Sequence, residues 1–240
     1  MNTLYDDLLN CIQNETVTEV YIGIHTTAVV SCQCGLASTM YFSCHNHTHS
    51  IEDAGSLVGK TSIELAGGIK SDFILQASLG MAAINSALDL NGLGFVSVNA
   101  EQLILEKGAD KTVAVIGHFP FVDRLKTKVR KIYVFELEGR EKEHDLLPQD
   151  MPEVLPSANV VAITATSLIN HTFFDIMKYI QKKAYKIMLG PSTPLTRIMF
   201  DYDIDALCGV IVERKETLLQ GIKQGCSFRK LQGKKMVTLM

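Results

Sequence analysis

Hydrophobic positions divide the chain into two stretches of different periodicity. Over residues 3–13, Leu4, Leu8, Leu9 and Ile12 recur at helical spacing and predict a short amphipathic helix. Three short apolar runs follow, Val17–Ile24, Ala28–Cys32 and Leu36–Phe42, and predict an antiparallel meander. Ser62–Ala66 predicts a helix that stops at Gly67-Gly68. Ser71-Asp72 then caps the longest helix, whose stripe is Phe73, Ala77, Met81, Ile84 and Leu88, with Gly92 and Gly94 closing it. Residues 1–95 therefore read as an α+β domain, a three-stranded meander plus helices with its own core.

From residue 96 the pattern alternates. A helix over Asn99–Lys107 precedes strand Val113–Ile116, helix Phe119–Thr127 and strand Lys131–Phe135. Pro148, Pro152 and Pro156 mark a loop. Strand Val160–Ile163, helix 167–182, strand Lys186–Leu189, strand Ala206–Val212 and a helix from Glu213 towards Gln224 complete the series. Five strands read as buried and separated by helices or turns predict an α/β, Rossmann-like domain over residues 96–240, with a mostly parallel sheet.

In such a sheet ligands bind beyond the C-terminal strand ends. The first strand delivers Gly117, His118 and Phe119; the third delivers Thr164, Thr166 and, one turn on, Asn170; the fourth delivers Gly190, Pro191, Ser192 and Thr193. Hydroxyls, amides, backbone N–H groups and one imidazole suit a small polar or anionic ligand, held by hydrogen bonds and a helix start. The alternative is that these are the turn and cap residues such loops need anyway. No G-x-G-x-x-G is present: Gly117 is the single glycine of the first turn and Pro120 follows it, which argues against an ordinary dinucleotide. Neither a phosphate-loop motif nor G-x-S-x-G occurs.

A second constellation is Cys32-Gln-Cys34 with Cys44, His45, His47 and His49. Alternation would place Cys32 and Cys34 on one strand face, and soft sulfurs with imidazoles can hold a divalent transition metal such as zinc. The spacing matches no standard zinc module, so two small core residues beside a polar loop is the alternative. Glu64, on the first helix after the meander, and Asn85, beside the apolar stripe of the long helix, complete the candidates. A buried asparagine needs partners or costs about 1–3 kcal/mol.

Charge and composition narrow the partners. Lys plus Arg number 23 against 26 Asp plus Glu, a formal charge of −3, which points away from nucleic acid and anionic membranes. No apolar run approaches the roughly 20 residues that span a bilayer, and the N-terminus lacks a signal-peptide pattern. A cytoplasmic protein with reduced cysteines is expected. Association into a homo-oligomer stays open.

Several motifs in order resemble one family. Ile116-Gly-His-Phe-Pro-Phe-Val-Asp-Arg-Leu125, Ala82-Ala-Ile-Asn-Ser-Ala87, Thr164-Ala-Thr-Ser-Leu-Ile-Asn-His-Thr172 and Leu189-Gly-Pro-Ser-Thr-Pro-Leu195 look like the putative heavy-metal chelation family, long catalogued as a domain of unknown function. Val20-Tyr-Ile-Gly23, Thr27-Ala-Val29 and Cys208-Gly-Val210 extend the likeness over nearly the whole chain. The resemblance implies an enolase-N-terminal-like domain packed on a Rossmann-like one, a polar site in the cleft between them, and a role in handling metal ions or their complexes. It covers Gly117, His118, Phe119, Thr166, Asn170, Pro191, Ser192 and Thr193, with Asn85 and Glu64 from the first domain. The Cys32/Cys34/Cys44 and His45/His47/His49 group is not part of the family pattern.

Three functions follow as expectations. The cleft captures a metal ion, a metal complex or a small anionic chelator. Or it is an enzyme site for a small polar metabolite, with His118 as acid or base, although Asp123 and Glu64 are the only carboxylates that sequence puts near it. Or the Cys/His group is a structural zinc site.

Overall fold

Val113, Ala114 and Val115 are fully buried, as a strand covered on both faces must be. They belong to the second half of a chain whose computed structural model describes residues 3–41, 50–137 and 141–240. In the first half, α1 (Thr3–Asn10) precedes β1 (Glu19–Ile22), β2 (Thr26–Val30), β3 (Cys34–Ser38), α2 (Ser62–Ala66) and α3 (Ile74–Ala87). Then α4 (Ala100–Gly108) leads into β4 (Thr112–Ile116), α5 (Val122–Leu125), β5 (Lys131–Phe135), α6 (Met151–Val154) and β6 (Val160–Thr164). The chain finishes with α7 (Thr166–Ile169), α8 (Phe173–Met177), β7 (Tyr185–Leu189), α9 (Ile198–Asp201), β8 (Ala206–Val212), α10 (Lys215–Lys223) and β9 (Lys234–Leu239).

Among the described residues the strands make two sheets: three antiparallel strands in the order β1-β2-β3, and six in the order β5-β4-β6-β7-β8-β9. The pairs from β5 through β8 are parallel and β9 closes the edge antiparallel to β8. The α+β unit followed by a mostly parallel α/β sheet is thus what the periodicity predicts. The ninth strand is an addition to it. Lys234-Lys235-Met236 lacks a buried-strand pattern because β9 is an edge, where lysines keep other chains from pairing.

Two helices differ from expectation. Residues 167–182 break after α7, because His171 takes a left-handed φ of 61° and the Asn170 Oδ1 accepts hydrogen bonds from Thr172 N (3.3 Å) and Oγ1 (2.7 Å). That local turn competes with the helix. The stripe on α3 is also wider than a single face: eleven of its fourteen residues are buried. The helix lies against β2 and β3 on one side and α7 on another, so it is apolar nearly all round.

Consequently the two sheets do not have separate cores. The largest cluster of buried side chains runs from Leu4, Val29 and Met81 through to Ile163, Met188 and Leu239. A further cluster joins Ala28, Val30 and Leu36 to Leu218, Leu219 and Ile222 of α10. Tyr5 anchors the first part to the second, donating its hydroxyl to Leu168 O at 2.7 Å. No helix among the described residues is long and apolar enough to cross a membrane.

Candidate functional site

The order of the parallel strands reverses between β4 and β6: the chain leaves β4 for β5 on one side, then returns to β6 on the other. Loops that diverge from two adjacent strand ends leave a crevice there. A cavity of about 580 Å³ occupies this place, lined by Gly117, His118 and Phe119 after β4, Glu136 after β5, Thr164–Ser167 after β6, and Gly190–Ser192 after β7. Ser38, Thr39 and Met40, at the end of β3, form one further wall, and residues of α8 and the turns on either side of it form another. The β3 end is held in place by Ser192, buried completely, whose Oγ accepts from Ser38 N at 2.9 Å.

Two glycines make the turns possible. Gly117 has φ 95° and Gly190 φ 118°, a region side chains resist. At Gly117 a Cβ would also come within 3.1 Å of Thr164 Cβ, so β4 and β6 approach closely at the crevice floor. The helices after β4 and β6, α5 and α7, are only four residues long. A helix start is therefore a weaker anion-binding device here than the sequence implies.

His118 is the centre of the polar wall. Its Nδ1 lies 3.4 Å from Asp145 Oδ2, near enough for attraction but not aligned as a hydrogen bond, and its Nε2 is 2.6 Å from Lys142 Nζ. A lysine ammonium only donates, which makes Nε2 the acceptor and puts the ring proton on Nδ1, facing the carboxylate. Asp145 is 8% exposed and His118 22%. Asp145 reaches the site because Leu146 pairs with Phe135 beside the end of β5, while the Asp145 carboxylate also accepts from Lys142 N at 2.9 Å. Glu136 completes the wall: its Oε2 accepts from His118 N (3.1 Å) and its Oε1 from Leu137 N (2.9 Å).

Deeper in, Thr164 Oγ1 and Thr166 Oγ1 are 2.9 Å apart. Ser167, 1% exposed, lines the cavity with an Oγ that has no hydrogen-bond partner among the described residues. Burying a hydroxyl without a partner costs about 1–3 kcal/mol. Unsatisfied polar atoms at a roomy cavity are what a ligand-binding crevice leaves behind.

Two sequence profiles, both described as Putative heavy-metal chelation, match this chain: DUF4213 over residues 5–88 and DUF364 over residues 99–240. The chain belongs to the putative heavy-metal chelation family. An uncharacterized protein of Methanocaldococcus jannaschii is 29% identical over 128 residues, 50% of this chain and 48% of that protein. The match to that curated relative therefore spans about half its length. A crystal structure of a DUF364-family protein of unknown function from Desulfitobacterium hafniense has a TM-score of 0.83 at 23% identity, over 99% of this chain and 96% of that one. One from Pyrococcus horikoshii has a TM-score of 0.83 at 22% identity, over 98% and 97%. At these identities the likeness shows the fold alone.

In this DUF364 member the sequence candidates separate. Gly117, His118, Phe119, Thr164, Thr166, Asn170, Gly190, Pro191 and Ser192 all line the large cavity. Thr193 turns away, its Oγ1 on Cys208 O, and lines a smaller cavity of about 200 Å³ together with Asn85. Asn85 donates to Leu36 O at 2.8 Å while its Oδ1 is buried without a partner among the described residues. Glu64 is remote from both. Its carboxylate accepts from Thr61 N, closing a capping box at the start of α2, and those bonds hold it below the usual carboxylate range.

The thiol pair is also divided. Residues 31–33 form the turn between β2 and β3, where alternation does not apply, so Cys32 is exposed with its Sγ on Gln13 Oε1, and Cys34 packs towards α10. Burial pushes the Cys34 thiol up to about 12, which is a protonated, poorly coordinating sulfur. Cys44, His45, His47 and His49 lie outside the described residues. Among the described residues no three His, Cys, Asp or Glu side chains are placed to hold a metal ion by themselves. The carboxylates that sequence could not pair with His118 are Glu136 and Asp145. Glu136 stands at a parallel strand end, and that position was the signal for it; Asp145 carried none.

Proposed function

We propose that this chain binds a small polar ligand, a metal complex or the anionic chelator of one, in the large cavity, between a domain of residues 1–95 and a domain of residues 96–240. The observation that carries this is the pairing of a crevice of about 580 Å³ at the strand-order reversal with buried polar atoms, Ser167 Oγ and His118 Nδ1, that have no hydrogen-bond partners among the described residues. Ligand pockets of this size bury most of a small molecule and fix it through a few polar groups. The family name supports a metal as part of the cargo. His118, Glu136 and Asp145 are nitrogen and oxygen donors of the kind a divalent transition metal accepts, but they do not form a closed set. A metal carried by a chelator that fills most of its coordination sphere would take one or two further donors from these side chains.

Native mass spectrometry of the full chain from cells tests this. A small molecule is expected to co-purify, and His118→Ala is expected to retain it at least tenfold less well. A folded His118→Ala protein that keeps the molecule undiminished overturns the assignment.

One observation favours an enzyme using the same cavity. Asp145 beside Nδ1 and an acceptor Nε2 is how a histidine is oriented for proton transfer. Conversion of the co-purifying molecule by the native protein, absent in His118→Ala, distinguishes turnover from binding.

A further inference from the structure

Parallel sheets usually recognise phosphates through backbone N–H groups at the first strand-to-helix turn. Here the two donors that open that turn are already taken. Gly117 N donates to Phe135 O at 2.8 Å, and His118 N to Glu136 Oε2 at 3.1 Å. Pro120 has no N–H. At the next strand ends Ala165 N donates to Leu189 O and Gly190 N to Cys208 O. The second oxygen of Glu136 takes Leu137 N. The chain's own carboxylate thus occupies the place an anionic ligand would need. What this wall shows the cavity is acceptors and negative charge.

The surrounding charges agree. Asp175 and Lys178, at the rim, neutralise each other at 2.9 Å. Glu136 and Asp145 remain against Lys142, whose Nζ sits 2.6 Å from His118 Nε2, so the wall already receives one ammonium. Independently, the buried Ser167 Oγ on the cavity lining has no partner among the described residues and is free to exchange a hydrogen bond with an occupant. We propose that Glu136 is the specificity-determining residue of the cavity. By filling the anion position at the turn after β4, it selects a ligand that presents a cationic centre, an ammonium or a chelated metal cation, to Glu136 and His118, with Asp145 behind the imidazole, and it rejects phosphorylated ligands. This rests on the cavity being the binding site. A ligand's carboxylates then face the hydroxyls of Thr164, Thr166 and Ser167 instead.

The test uses the full ¹⁵N-labelled chain, titrated separately with 1,4-diaminobutane, with Zn²⁺ alone and with inorganic phosphate, following backbone amide resonances. In the native protein at least one cation is expected to shift His118, Leu137 and Thr166, and phosphate is not. Which cation does so tells an ammonium from a metal. Glu136→Gln keeps an acceptor for His118 N and so preserves the turn, but loses the charge; cation affinity is expected to fall at least tenfold. Glu136→Ala frees both N–H donors and is expected to gain phosphate binding at the His118 and Leu137 amides. Phosphate binding at these amides in the native protein, or cation affinity unchanged in Glu136→Gln, overturns the inference and leaves the cavity assignment standing. No response of cavity residues to either cation in the native protein also overturns the inference, while the cavity assignment is judged by whether the co-purifying molecule stays with the native chain and is lost from His118→Ala.

Discussion

The two cavities share a wall, Pro191 in the turn after β7, and they differ in size and in the polar groups they offer. The larger gathers strand ends and is lined by hydroxyls, carboxylates and an imidazole. The smaller, near the β2–β3 hairpin, is lined mostly by Leu36, Leu88, Leu90, Phe95, Leu195 and Val210, with Cys34 and Asn85 among them. Position in the sheet explains the difference. At the C-terminal strand ends the backbone leaves the ladder, and its turns bring polar side chains with them. Beside the hairpin the gap lies between packed surfaces, where α3 meets β3 and apolar residues dominate. Orphaned polar atoms occur in both, so the orphan alone does not mark the site. It does so where titratable groups and room coincide.

The comparison can be broken at its apolar end most severely. Gly35 on β3 lies so close to α3 that a Cβ would sit 2.1 Å from Ser86 N and 2.3 Å from Ala82 O. Gly35→Ala must push strand and helix apart, and a loss of more than about 4 kcal/mol is expected in urea unfolding. A loss below about 1 kcal/mol would show that the hairpin and α3 are not rigidly packed.

Next comes alkaline pH. Burial holds the Cys34 thiol at about 12 and that of Cys208 at about 11, against an ordinary 9.0. The folded state keeps protons that the unfolded chain has lost. Stability is therefore full below about pH 9 and falls as pH rises towards these values, by about 1.4 kcal/mol per pH unit for each thiol. From pH 8 to 10.5 a loss of about 2–4 kcal/mol is expected, and Cys34→Ala with Cys208→Ala should flatten the profile. Tyr5, also pushed up by burial, acts in the same direction at higher pH.

The smallest effect belongs to the polar cavity. Gly117→Ala forces a left-handed alanine against Thr164, at an expected cost of about 2 kcal/mol. Because that contact sets the crevice floor, ligand retention should fall further than stability does. Equal losses of both would make Gly117 a folding residue only.

Much of this was legible beforehand. The apolar runs Val113–Ile116, Val160–Ile163 and Ala206–Val212 could only be buried strands, and Gly117 and Gly190 marked where the sheet turns into its site. What could not be read depended on contacts distant in sequence. Glu64 is the exception: Thr61-Ser-Ile-Glu64 is a capping-box pattern legible in the sequence, and it already ties that carboxylate to the start of α2. Asn85 and Thr193 were expected at the cleft, and which cavity they line depends on how β3 packs against α3.

Local periodicity and turn chemistry are short-range properties, and they are enough to specify elements, their order and the face of the sheet where a ligand can sit. The sequence by itself determined that much for this protein. Charge placement is a long-range property. Only the tertiary structure brought Asp145 beside His118, laid Glu136 across the turn after β4, and set Ser38 on Ser192 to close the cavity. The reason is physical: an ion pair or hydrogen bond acts over a few ångströms in space, and spacing along the chain says nothing of that distance until the sheet is assembled.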